Sequence, residues 1–417
     1  MRDFTLAVTA IGGLIATVWA QVPAPPTFKS STSLVEVDII ARDKDGRFVS
    51  GLTADDFEVL EEGKPQAIEH FYLVTEQSTS SSEPRPDVVL PRSPDRTERR
   101  IFVLFFDSQH LSAGRLIKLK QTAQDFINST FRPTDLAGVF VNGALGHNHL
   151  SNDRQELLDL IHAVGPAFET TESRVRTLLE FPRIDSVFDA ARMENDDKKF
   201  ITDVATKICG DDARQCALEG GREYVEDALQ RKARRFIDDS RRAANATLQS
   251  LGYVTKNLAR LEGRKTLIFL SEGFFVEDVR SSLPILAGQA ARAGITIYGI
   301  DVRGTSASGG MAAGDASLPS NGLSGFGDTG DEGLDILSVE TGGMTIRHTD
   351  DYTRALSQVA SDTSTYYVLA YSPSNTVLDG KFRRIALNVK WQGLTVRARR
   401  GYIASPLPAT KQLRTKN

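Results

Sequence analysis

The chain has only two cysteines, Cys209 and Cys216, among its 417 residues. That count excludes a disulfide-dense scaffold. The segment Cys-Gly-Asp-Asp-Ala-Arg-Gln-Cys has no histidine beside it, so it does not complete a zinc set. In an oxidising compartment the pair can close a small disulfide loop; otherwise both remain thiols. There is no excess of charge of one sign: 50 basic residues face 54 acidic ones, for a net charge of −4. A chain so balanced lacks the electrostatic footprint of a nucleic-acid binder. The common catalytic signatures are missing too, with no Gly-x-Ser-x-Gly elbow, no His-Glu-x-x-His and no phosphate loop ending in Gly-Lys-Ser/Thr. What remains is an ordinary globular composition, 40% hydrophobic and 25% charged, long enough for two or three domains.

The first twenty residues read as an export signal. Arg2 supplies a small positive start, Phe4 to Val18 form an apolar core, and Val18-Trp19-Ala20 offers small residues where a signal peptidase cuts. Glycines 12 and 13 and the short span weigh against a membrane helix, which needs ~20 apolar residues. No later segment is apolar enough to span a bilayer, so the expectation is a periplasmic or secreted protein with no stable membrane span. Residues 21–33, rich in proline and serine, read as a linker.

From Leu34 the pattern becomes that of strands. Leu34 to Ile40, Phe57 to Leu60 and Ile68 to Val74 are separated by turns at Asp43-Lys44-Asp45-Gly46 and Glu61-Glu62-Gly63-Lys64. This N-terminal β segment, 34–75, is followed by a Ser/Pro/Glu/Arg-rich linker at 76–99. Ile101 to Phe106 is then an unbroken apolar run ending at Asp107, as expected of a parallel strand buried on both faces. Leu116, Leu119, Ala123, Phe126 and Ile127 recur at helical spacing. Leu136 to Val141, Thr266 to Leu270 and Ile295 to Ile300 are further strands with helices between them. Such alternation predicts a doubly wound, mostly parallel, Rossmann-like α/β sheet over residues 100–362.

A helical insertion at about 165–262 interrupts the alternation, carrying an apolar stripe from Val225 to Leu258. Its charged face sets Arg234 with Asp238, Arg235 with Asp239 and Asp238 with Arg242, each four apart, and reads as a solvated, ion-paired surface. His147 and His149 alternate in an expected edge strand, as surface histidines facing one side. Residues 303–333 form a long Gly/Ser-rich loop. A C-terminal β segment, 363–404, and a basic tail, 405–417, end the chain. Neither β segment alone buries a good core, so the two are expected to pair into one small β-sandwich with the α/β domain inserted between them.

Several stretches together resemble a known family. Asp107 ending one apolar strand and Leu-Ser-Glu-Gly at 270–273 ending another resemble the von Willebrand factor type A domain. Leu52-Thr53 with Asp56-Phe57-Glu58-Val59, Glu62-Gly63-Lys64-Pro65, Thr341-Gly342-Gly343, the run Tyr366 to Pro373 and Arg399-Arg400-Gly401-Tyr402 resemble the bacterial "VWFA-related acidobacterial" group. That resemblance implies a ligand rim at the carboxyl ends of the strands, where Asp107, Ser108, Ser271, Glu272 and Asp301 would meet. In the family, such a rim holds a divalent cation through carboxylates, two serines and a threonine. Here the serine positions hold Gln109 and Leu111, and no threonine is evident. The implied metal ligands reduce to Asp107, Gln109 and Glu272, a set thin enough for no metal, or for weakly bound Mg²⁺ or Ca²⁺.

The resulting expectation is a non-enzymatic, exported module of adhesion type that binds a protein or an extracellular polymer through this rim, with a degenerate metal site. The alternative is a structural subunit of a cell-envelope assembly acting through the sandwich. The export signal is checked by intact-mass measurement of native material: the chain should begin at Gln21, and a retained Met1 to Ala20 would mean an anchor instead.

Overall fold

The computed structural model describes residues 34–75, 100–141, 143–165, 176–274, 279–303, 331–347 and 349–406. The expected export signal, both linkers, nearly all of the Gly/Ser loop and the tail beyond residue 406 lie outside the described residues.

Strand β5 (Ile101–Phe106) lies at the centre of a six-stranded sheet. Helix α1 (Ala113–Ser129) carries the chain to β6 (Leu136–Val141), which pairs parallel to one side of β5. On the other side of β5 lie, in parallel, β8 (Lys265–Ser271), β9 (Ile295–Asp301) and the short β10 (Thr345–Ile346). β7 (Ala144–Leu145) folds back antiparallel on β6. Strand order therefore reverses between β5 and β8, the position at which open α/β sheets form a crevice.

Both faces of this sheet are covered, which explains the unbroken apolar run of β5. Phe102, Leu104 and Phe106 point to one layer, made by α1, α2 (Arg154–Ala163) and the last helix of the chain, Tyr352–Ser364. Ile101, Val103 and Phe105 point to the other, made by α6 (Arg222–Leu258), α7 (Ser282–Arg292) and α8 (Asp331–Glu340). The last helix is α9. With both faces buried, no polar residue has a place between residues 101 and 106.

The expected helical insertion at 165–262 is divided differently. Only the first half of α6 belongs to a satellite cluster. There Val225, Leu229, Ala233, Phe236 and Ile237 pack on α3 (Val187–Glu194), α4 (Lys198–Asp211) and α5 (Ala213–Leu218). From Ala244 to Leu258 the same helix lies on the central sheet. Cys209 and Cys216 are disulfide-bonded between α4 and α5. The charged face also differs in detail: Arg234 reaches Asp196 at 2.8 Å, and Asp238 pairs with Arg241 at 2.9 Å, while Arg235 and Asp239 approach to 3.9 Å. The space beside Asp196, in the turn between α3 and α4, draws Arg234 off its own helix.

The two terminal β segments are interleaved. β1 (Val35–Arg42) lies between β11 (Tyr366–Tyr371) and β13 (Thr395–Ala398), with β4 (His70–Val74) outside β11. The second sheet has the order β14 (Gly401–Ile403), β12 (Phe382–Val389), β2 (Phe57–Glu61), β3 (Lys64–Gln66). Residues 34–75 are thus not one antiparallel unit, since β1 and β4 join one sheet and β2 and β3 the other. Between the sheets Val37, Ile39, Phe57, Val59, Tyr367, Leu369 and Ile385 form a single core.

Several contacts fasten the sandwich to the α/β layers. Gly288 of α7 faces Phe382 and Ile403 so closely that an added Cβ would lie 2.8–2.9 Å from them. The buried carboxylate of Asp362, at the end of α9, takes Arg42 of β1 at 2.5 Å on one oxygen and Arg397 of β13 on the other. Nearby, Arg264 binds Asp38 of β1 at 3.0 Å. Among the described residues no helix is long and apolar enough to cross a membrane.

Lys265, at the start of β8, is 3% exposed and donates to the carbonyl of Leu261 at 2.9 Å. Burial lowers its pKa from 10.5 to about 8, with Asp38 opposing. Below pH 8 both folded and unfolded chains hold the proton, and the folded state bears the cost of the buried charge. Between pH 8 and 10.5 the unfolded chain binds more protons, so this residue's contribution to stability rises with pH. Lys265→Met should therefore stabilise the protein at pH 7 by about 2 kcal/mol, after allowing for the lost bond to Leu261. The gain should disappear above roughly pH 10.5 in urea denaturation, and a pH-independent difference would refute this account.

Candidate functional site

β5 and β8 end side by side, with Phe106 opposite Leu270, so Asp107 and Ser271 emerge together at the crevice. The Asp107 carboxylate is 2% exposed. A charge so placed needs hydrogen-bond donors. Ser271 Oγ donates to Oδ2 at 2.7 Å, and His110 Nδ1 lies 2.9 Å from the same oxygen. Thr247 Oγ1, from α6, donates to Oδ1 at 2.7 Å and is 3.3 Å from His110 Nδ1. Since the carboxylate accepts, Nδ1 of His110 carries the hydrogen. Ser271 Oγ in turn accepts from the backbone N–H of Gly273 at 3.0 Å. His110 is held in a turn by its own N–H on the carbonyl of Asp107, and its ring leans on Phe274.

The other expected rim residues do separate work. Glu272 accepts the backbone N–H of Ser112 at 2.6 Å, one of the unpaired donors at the start of α1, and Arg115 approaches it to 4.0 Å. Asp301 is 1% exposed and bound by Arg303 through the backbone N–H, Nε and a terminal nitrogen at 2.8–3.0 Å. Arg115 and Tyr352 both donate to the carbonyl of Val302, at 3.0 and 2.6 Å. Burial pushes the Tyr352 phenol up to about 12, against the pull of Arg115. Ser108 is buried, and Gln109 is half-buried in the turn after β5. The structure brings Asp107 and Ser271 into contact, and gives Glu272 and Asp301 partners of their own.

Sequence reasoning missed His110 and Thr247. A threonine does stand on the Asp107 carboxylate, contrary to the expectation that none was available; it comes from α6, 140 residues further along. Its signal was a hydroxyl on the apolar stripe of that helix, between Ala244 and Leu251. Leu111, at an expected ligand position, is fully buried in the α1 layer instead. His147 and His149 also depart from expectation. They sit in and beside the helical turn Gly146–Asn148, not in a strand, because His147 and Asn148 adopt positive φ (50° and 58°). Both reach Glu156 of α2, at 2.8 and 3.1 Å.

In this arrangement the site presents few free oxygen ligands to a hard divalent cation. Such ions take six or more oxygens with lone pairs turned inward. Here the hydroxyl hydrogens of Thr247 and Ser271 and the imidazole N–H all point at the carboxylate, so the donors that would surround an ion are spent on one another. Glu272 is turned to the α1 backbone. Among the described residues no group of three or more His, Cys, Asp or Glu side chains could hold a metal ion.

No family model matches the chain, nor does any curated protein. Among the solved structures similar to it in part are two bacterial proteins. One is an aerotolerance-related membrane protein from Bacteroides fragilis NCTC 9343, with multiple mutations to serines. It is 9% identical, with 63% of this chain and 98% of that one covered, and a TM-score of 0.34. The other is a conserved hypothetical protein BatB from Bacteroides thetaiotaomicron, 10% identical over 64% of this chain and 97% of that one, with a TM-score of 0.33. At these scores neither likeness carries an argument, and the functional reading rests on the site itself.

Thr247→Val removes one hydroxyl at nearly constant volume and leaves Asp107 Oδ1 without its donor. The substitution should destabilise the protein by about 1–3 kcal/mol in urea denaturation. An unchanged midpoint would show that the hydrogen bond does not hold the carboxylate in place.

Proposed function

We propose that this chain is an exported, non-enzymatic binding module of the von Willebrand factor A-like type. Its rim at the β5–β8 crevice engages a protein or an extracellular polymer without a metal ion. The observation that carries this reading is the closed state of Asp107, with three donors on a buried carboxylate at the point where the strand order reverses. An adhesion site that works through a cation needs open coordination positions, and these donors fill them. The same closure speaks against an acid/base pair of Asp107 and Glu272, since one is buried and the other caps α1. The rim then offers a partner its shape at the turn after β5, where Gln109 is half-buried.

The test is capture of envelope partners on immobilised full chain, with and without chelator. Recovery should be unaffected by EDTA and should fall at least about tenfold for Gln109→Arg, which puts bulk and charge on the rim. Loss of partners on chelation would refute metal independence. Full retention by Gln109→Arg, with loss on alanine substitution of Trp391, an exposed side chain just after β12 of the sandwich, would move the interface to the sandwich and favour a structural role.

A further inference from the structure

We infer that His110 is a built-in occupant of the Asp107 centre, whose imidazole N–H fills the position an external cation would take. Three observations converge on this. Nδ1 of His110 lies within 2.9 Å of Asp107 Oδ2 and 3.3 Å of Thr247 Oγ1, so it stands among oxygens from β5 and α6. Its neighbour Ser271 Oγ, from the end of β8, joins the same carboxylate oxygen at 2.7 Å. The ring is 3% exposed and backed by Phe274, and its backbone N–H is held in the turn after β5 by the carbonyl of Asp107.

The imidazole answers the same electrostatic need that an ion would. A carboxylate buried at the junction of two strands and a helix needs a compensating donor on the side facing the crevice. An N–H at 2.9 Å supplies it without an ion, and costs no ordering of ligands from solution. The position also explains the orientation of both hydroxyls. With Nδ1 in place, the best remaining acceptor for Thr247 and Ser271 is the carboxylate. Were the imidazole removed, three oxygen-bearing side chains (Asp107, Thr247 and Ser271) would line the space it leaves. Hard cations accept such a mixture of carboxylate, hydroxyl and water oxygens.

The inference shares its site with the proposed binding function and rests on that reading only for what the rim is for; the test uses no partner, so the two fail separately. Purified full chain, wild type and His110→Ala, is titrated calorimetrically with MnCl₂ and MgCl₂, and its melting temperature is followed in both salts. Wild type should show no binding and no shift. His110→Ala should melt lower, bind Mn²⁺ at one site, and recover several degrees (~4 °C) of melting temperature at saturating ion. Asp107→Asn in the His110→Ala background should weaken that binding at least about tenfold. His110→Asn keeps an N–H donor at the carboxylate and should melt near wild type while ignoring both ions. It also serves where His110→Ala does not fold, read against His110→Leu, which has no donor and should melt lower than His110→Asn. Wild type that binds Mn²⁺ at Asp107 would overturn the inference. So would a folded His110→Ala that binds neither ion, or a His110→Asn that melts no higher than His110→Leu.

Discussion

The pairing of β1 with β11 sets the plan of the molecule. Val35 lies opposite Tyr371 and Ile39 opposite Tyr367, so strands from the two ends of the described chain share one ladder. Everything between them must leave the sandwich and return to nearly the same place. The α/β domain meets that condition because β5 begins, and α9 ends, at its edge facing the sandwich. Asp362 closes the return: one buried carboxylate is held by Arg42 from the N-terminal segment and Arg397 from the C-terminal one. An ion pair of this kind adds little net stability compared with apolar packing, but removing one partner leaves a charge stranded. It fixes the orientation of the layers more than it strengthens them.

A comparable arrangement at the opposite edge of the sheet shapes the candidate site. Asp107, His110, Thr247 and Ser271 come from a strand end, the turn after it, a helix and a neighbouring strand end. Ser271, His110 and Thr247 each place a hydrogen bond on the Asp107 carboxylate. The crevice that doubly wound sheets use for ligands is therefore lined, in this chain, by groups already satisfied. On the proposed reading, binding there comes from surface shape and from the residues around the knot. The neighbouring carboxylates follow the same rule, Glu272 on the α1 backbone and Asp301 on Arg303.

Much of the α/β architecture was legible in the sequence because burial on both faces leaves a plain mark. Ile101 to Phe106 has no polar interruption, Thr266 to Leu270 and Ile295 to Ile300 are mostly apolar, and Asp107 was found as the residue where such a run ends. Turns at Gly46 and Gly63 were legible from glycine's freedom at positive φ. The division of α6 was not, since its apolar stripe runs from Val225 to Leu258 without a break, although the surface beneath it changes from α3 and α4 to the central sheet. Strand β14 escaped notice because Gly401 to Ile403 is too short to show a period. Thr247 and His110 were invisible for another reason: their role depends on contacts with Asp107, one of them across 140 positions, and no local pattern marks such a contact.

Helix α6 spans 37 residues, about 55 Å at the ordinary helical rise. Mechanically it is a cantilever. Its root, from Ala244 onward, is clamped against the sheet, while its free arm carries the disulfide-closed satellite cluster. A beam of this kind bends most where the clamp begins. Thr247, one turn inside that point, ties the root of the arm to the Asp107 network, so one helix links the satellite cluster to the crevice.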